Sequence, residues 1–144
     1  MKLIYLISPI FAWIVAGSIK FICNSIKAET LAFAQIGYGG FPSTHAAIVT
    51  NIAVFIALRE GLDSPIFGIA FTLMLIIIID AIGLRRQIGK HAEILNKLLR
   101  DLSSETKLRE RMGHKSHEVL AGIIVGILTG YLSYLAQSCT SFFK

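Results

Sequence analysis

Charged residues are scarce in this chain: Asp, Glu, Lys and Arg make up 16% of its 144 residues, against roughly 25% in soluble domains. That scarcity argues against both a water-soluble enzyme and a disordered segment. Cysteine is thin as well. Cys23 and Cys139 lie in apolar stretches without metal-type spacing, and the expectation is two buried free thiols with no assigned role. No repeat or low-complexity segment occurs. No clear small-residue cleavage site follows the first apolar run, so that run reads as a retained helix rather than a signal peptide. The length leaves room for one domain over residues 1–144 and none for a separate soluble unit.

What is abundant is apolar sequence: 54% of residues are hydrophobic and the mean hydropathy is +0.68. Four stretches stand out, Leu3 to Cys23, His45 to Leu58, Pro65 to Leu84 and Glu118 to Ala136. A crossing needs about 20 residues, so the second is short and reads as tilted, buried among its neighbours or extended by the loop before it. Arg85 to Leu102 carries Ile88, Ala92, Leu95, Leu98, Leu99 and Leu102 at near-helical spacing among charges, the pattern of an amphipathic helix leaving the membrane. The expected fold is therefore all-α, a polytopic membrane bundle of about four transmembrane helices plus one amphipathic helix. Gly37, Gly39, Gly40 and Pro42 mark the link between the first two spans as a loop or short re-entrant segment. Ser103 and Ser104 open a polar connection to the fourth.

Between Arg85 and Lys115 lie nine of the fourteen basic residues against four acidic ones, which accounts for the whole net charge of +5. The positive-inside rule then puts that segment in the cytoplasm and both termini outside. The link holding Lys20 and Lys27 also falls inside. The start of span two, the end of span three and the start of span four share one membrane face, whatever the orientation.

Those three places hold nearly every unusual polar residue. His114 and Glu118 stand four apart where a helix begins, so a carboxylate can fix the imidazole tautomer and leave Nε2 as nucleophile or base. A dipole-favouring glutamate beside a solvated histidine is the competing reading. His45 follows Ser43 and Thr44, either of which suits a helix cap near an anion, where a histidine can protonate a leaving oxygen. Asp80 interrupts an isoleucine run, and an ionisable residue inside a span is a functional candidate by default. Pairing with Arg85 or Arg86 would make it structural. Arg86, Lys90, Glu93 and Lys97 follow one side of the amphipathic helix, with Arg85, Gly89 and Asn96 close by, suiting either a phosphate or anionic headgroups. Together, two histidines, a carboxylate one turn from one of them and several cations fit phosphoryl transfer better than a structural protein.

These residues resemble a known group. Phe41-Pro42-Ser43-Thr44-His45-Ala46 is similar to the PSGH-type motif of the type 2 phosphatidic acid phosphatase (PAP2) superfamily, which includes lipid phosphatases and vanadium haloperoxidases. His114-Lys115-Ser116-His117-Glu118-Val119-Leu120-Ala121-Gly122 resembles its third motif, with glutamate replacing aspartate. Asp80 to Arg86, Gly89 to Glu93 and Leu95-Asn96 resemble the divergent PAP2 branch. The resemblance runs from about Gly39 to Gly126. It implies a PAP2-like core in which His114 attacks phosphorus, Glu118 orients it and His45 protonates the leaving group, without metal or cofactor. Ser43, Thr44, Arg85, Arg86 and Lys90 would contact the phosphoryl group, with Asp80, Glu93 and Asn96 supporting. The first motif, a lysine seven positions before an Arg-Pro pair, is absent, and the arginine expected six positions before His114 is replaced by Leu108.

The expected activity is a metal-independent membrane phosphatase acting on a lipid phosphate or prenyl diphosphate through a phosphohistidine. The alternative is an inactive lipid-phosphate-binding or scaffold protein. A small transporter using Asp80 as a proton site ranks third, and vanadate-based haloperoxidase chemistry is remote. The expected partners are membrane lipids and the phosphorylated lipid, with no nucleic acid, and homo-oligomerisation is left open. The expected location is an inner or plasma membrane, with the site on the cytoplasmic face.

Overall fold

The computed structural model describes residues 3–28, 40–101, 107–110 and 112–142. Five helices follow in order: α1 (Ile4–Ala28), α2 (Thr44–Glu60), α3 (Pro65–Ile82), α4 (Leu84–Asp101) and α5 (Ser116–Phe142). No strand occurs among the described residues. Three stretches are long and apolar enough to cross a membrane, Ile4–Ile26, Pro65–Arg100 and Ser116–Cys139. The glycine-marked loop at Gly37 and Gly39, and the connection at Ser103 and Ser104, lie outside the described residues.

Helix α2 occupies the middle of the bundle, packed by α1, α3 and α5. Its buried residues, among them Ala46, Val49, Asn51, Ala53 and Phe55, point in several directions rather than along one stripe. Its 17 residues span about 25 Å at 1.5 Å per residue. It begins one residue earlier than the apolar pattern suggests because Ser43 caps it, its side chain accepting from the Ala46 N–H at 3.4 Å. It ends at Gly61, whose φ of 86° turns the chain. Ser64 and Pro65 start α3 after a short turn, so α2 and α3 run antiparallel.

The contact between α2 and α5 is the closest in the molecule. A Cβ on Gly122 would stand 2.3 Å from the Ser43 carbonyl oxygen, one on Gly126 would stand 2.6 Å from that of Ala47, and one on Gly130 would stand 2.7 Å from that of Asn51. Three glycines at intervals of four make one bare face, and α2 answers with carbonyls at the same interval. Lipid tails are as apolar as leucine, so membrane helices associate through such close van der Waals contact rather than through hydrophobic exclusion.

A buried polar chain crosses the same seam. The Ser8 hydroxyl donates to Asn51 Oδ1 at 2.7 Å, and Asn51 Nδ2 donates to the Thr129 hydroxyl at 3.0 Å. At the end of the bundle remote from Ser43, Tyr5 donates to Glu60, and the Arg59 guanidinium lies 5.1 Å from the Tyr5 ring centroid.

Two expectations need correcting. Cys139 is exposed and Cys23 half-buried, because an apolar stretch on the rim of a membrane bundle faces outward rather than into protein. Helix α3 stops at Ile82, two residues short of the expected end, since Gly83 leaves helical geometry with φ −94° and ψ −88° and turns the chain into α4.

Gly126→Val is expected to destabilise the protein by about 1–3 kcal/mol, the usual cost of overpacking, because the new side chain meets backbone. Thr129→Val removes one interhelical hydrogen bond, worth about 0.6 kcal/mol in membrane proteins. Thermal midpoints in detergent should place the glycine variant well below the threonine variant.

Candidate functional site

Parts of four helices meet at one end of the bundle: α1 at Lys20 and Asn24, the last turn of α3 and the first turns of α2 and α5. The backbone itself joins them. The Ser43 N–H donates to the Glu118 carbonyl at 2.9 Å, and the His114 N–H donates to the Ala81 carbonyl at 3.1 Å. Residues far apart in sequence are thus brought to one place.

His114 is buried and precedes α5 by two residues rather than lying within it. Its Nδ1 is 3.2 Å from Glu118 Oε2. A carboxylate only accepts, so Nδ1 carries the proton and Nε2 is left with its lone pair. The same Oε2 accepts the Lys115 N–H at 3.0 Å, which fixes the carboxylate before it orients the ring. Burial pushes the imidazole below its usual pKa of 6.5, the Glu118 hydrogen bond pulls part of the way back, and the charges of Lys20 and Arg85 add to the lowering. The balance favours the neutral ring.

The approach to His114 depends on Gly113 and Asn96. Gly113 has φ 83°, and a Cβ there would meet the Arg86 backbone nitrogen at 2.7 Å. Only glycine allows this turn against the start of α4. Asn96, buried on α4, donates to the Leu108 carbonyl at 2.8 Å and to Glu110 Oε1 at 2.7 Å. Its Oδ1 accepts the Leu108 N–H at 2.8 Å. One side chain therefore holds the segment leading to His114.

The remaining polar residues divide into two groups. Asp80 is paired with the Arg85 Nε, and the charges that reach His45 include Arg85, His114, Lys20 and Asp80. Ser43 is fully buried as a cap, Thr44 is half-buried and His45 is exposed at the first turn of α2. Arg86 and Lys90 are exposed on α4 and make no ion pair among the described residues. Glu93 is bonded to Lys97 at 3.1 Å on an exposed face, away from the histidines' hydrogen bonds. Among the described residues no three His, Cys, Asp or Glu side chains cluster as metal ligands would.

The motif at Phe41–Ala46, the His114–Glu118 pair and the Asp80–Arg85 corner thus share one end of the bundle. The sequence model of the Divergent PAP2 family matches residues 1–129. This chain belongs to the Divergent PAP2 family. The uncharacterized membrane protein YuiD of Bacillus subtilis (strain 168) is 34% identical over 140 residues, covering 85% of this chain and 89% of YuiD. No solved structure matches. Membership in the Divergent PAP2 family relates the chain to phosphatases and, with three helices fit to span a bilayer, makes it a membrane protein.

Sequence reasoning missed Lys20, whose charge reaches both histidines. It was read only as a topological charge, although a lysine inside an apolar run is itself a signal. The Gly122, Gly126 and Gly130 spacing was equally legible and went unused.

Asn96→Ala removes three hydrogen bonds, two of them to the backbone of the exposed Leu108, each worth about 0.5–1.5 kcal/mol net. Amide exchange at Leu108 should accelerate strongly, while exchange in the middle of α2 stays slow. Unchanged exchange at Leu108 would show that the segment is held by other contacts.

Proposed function

We propose that the chain is a metal-independent membrane hydrolase that removes phosphate from a lipid phosphate or prenyl diphosphate. The observation that carries this reading is the buried His114 with its Nδ1 held by Glu118, on the same bundle end as His45. His114 Nε2 attacks phosphorus as the phosphorus–oxygen bond to the leaving group breaks, an ester bond in a monophosphate and an anhydride bond in a diphosphate, and the leaving oxygen takes a proton from His45. Water then attacks the phosphohistidine and gives its proton to His45, the phosphorus–nitrogen bond breaks, and phosphate departs. Ser43 and Thr44 at the start of α2 give backbone or hydroxyl contacts to the phosphoryl group, and Arg85, Arg86 or Lys90 neutralises its oxygens. Asp80 positions Arg85, Asn96 positions the segment before His114, and Glu93 restrains Lys97.

In this reading residues 1–144 form one membrane-embedded domain. α1, α2, α3 and α5 cross the membrane, with α2 sheltered by the other three. α4 lies along the surface as an amphipathic helix, with Leu84, Ile88, Leu95 and Leu98 exposed beside its cations. The excess of Lys and Arg from Arg85 to Lys115 favours a cytoplasmic site, and a site at the end of a span suits substrates with apolar tails. A second reading, a lipid-phosphate-binding protein without turnover, is favoured by the commitment of Arg85 to Asp80.

Phosphate release from phosphatidate, prenyl phosphates and prenyl diphosphates, measured on purified protein in excess chelator, separates the two. Wild type is expected to turn over at least one of them, and His114→Ala to lose at least a thousandfold. His45→Ala should lose about 10²–10⁴-fold, the usual range for proton transfer. A fully active His114→Ala would end the phosphohistidine mechanism.

The pH profile supplies an independent check. Activity needs neutral His114, so it should fall on the acid side with a midpoint below 6.5, in line with the lowered imidazole pKa. Glu118→Gln removes the charge that raises the imidazole pKa. Its acid limb should move to lower pH while kcat falls.

A further inference from the structure

Lys20 lies inside the apolar stretch Ile4–Ile26, where an ammonium group without a counter-charge is costly. It is half-buried. Its Cε comes within 3.6 Å of where a Cβ on Gly40 would stand, and the Asn24 Oδ1, one turn further along α1, comes within 3.2 Å of the same point. Lys20 and Asn24 therefore wall the backbone that leads through Phe41 and Pro42 into the Ser43 cap. This is the α1 side of the site.

The carboxylates near Lys20 bond to other groups. Glu118 and Arg109 are the charges that reach it, and no carboxylate lies within ion-pair distance of it among the described residues. Glu118 is engaged by His114 and the Lys115 N–H, and Asp80 by Arg85. Lys20 and Arg109 also repel one another. An ammonium group held in an apolar helix with no carboxylate paired to it is stabilised by an anion. Lys20 is also the cation on α1 whose field reaches both His45 and His114.

We propose that Lys20 is an anion-binding residue that takes the phosphoryl oxygens of a phosphate monoester or diphosphate held between His45 and His114. This rests on the reading of the site given above, and it adds a cation from a helix that the motifs do not include. The ligand chemistry is a phosphate dianion, supplied either as a lipid headgroup or as free phosphate. The competing structural role is a lysine that merely extends its amine toward the membrane surface.

The test is equilibrium binding of inorganic phosphate, and of vesicles containing phosphatidate, to the full-length His114→Gln protein, which stops turnover. Lys20→Met, Lys20→Gln and Lys20→Arg are added to that background, and diacylglycerol vesicles serve as the uncharged control. The expected result is at least tenfold weaker binding in Lys20→Met and Lys20→Gln, with Lys20→Arg within a few-fold of its parent. Loss with both ligands identifies the phosphate group alone as sufficient, and loss with phosphatidate only identifies the headgroup in its membrane. Parent-like affinity in either folded neutral variant overturns the proposal, as does a parent that binds neither ligand. Lys20-dependent binding by a wild type that releases no phosphate would overturn the hydrolase reading and leave this one standing.

Discussion

Everything at the candidate site depends on how closely α5 approaches α2. Gly122, Gly126 and Gly130 lie against the carbonyls of Ser43, Ala47 and Asn51 at separations that no side chain could occupy. The first of these contacts is at the site itself, where the Ser43 N–H also bonds to the Glu118 carbonyl. The seam that holds the bundle together therefore sets the distance between the two motifs. Because lipid offers no hydrophobic gain for helix association, shape has to supply it. The polar chain through Ser8, Asn51 and Thr129 adds register, tying α1 to the same seam.

His114 is held by a second arrangement, perpendicular in logic to the first. Its backbone is bonded to Ala81 at the end of α3, the preceding Gly113 folds against Arg86, and Asn96 anchors the chain at Leu108 and Glu110. The corner between α3 and α4 thus acts as a bracket for a residue that belongs to neither helix. Glu118 completes the bracket from α5. Glu118 restrains one nitrogen of this buried imidazole, and burial favours its neutral form.

The match to the Divergent PAP2 family covers both Ser43 and His114, although the lysine and Arg-Pro pair that the resemblance to the wider superfamily calls for are missing. This fold brings cations to the histidines from other places: Arg85 from the α3–α4 corner and Lys20 from α1. Arg86 and Lys90, although adjacent in sequence to Arg85, stand exposed on α4. Helical geometry explains the separation, since residues one and five positions apart are turned about 100° and 140° from one another at 3.6 residues per turn.

The sequence by itself determined the apolar, helical, membrane character of the chain and the approximate helix boundaries, and it set His114 and Glu118 within reach of one another while leaving open whether they pair. Each follows from composition or from spacing within a few residues, where one-dimensional order dictates three-dimensional proximity. For the same reason the cap was narrowed to Ser43 or Thr44 and the partner of Asp80 to Arg85 or Arg86, and the structure chose Ser43 and Arg85. Only the tertiary structure decided that α2 is enclosed on three sides, that Asn96 bonds to Leu108 and Glu110, that Glu93 turns away to Lys97, and that Lys20 lies beside Gly40. Those facts depend on which faces of separate helices meet. That choice is made by backbone approach at small residues and by long-range hydrogen bonds, neither of which has a period along the chain.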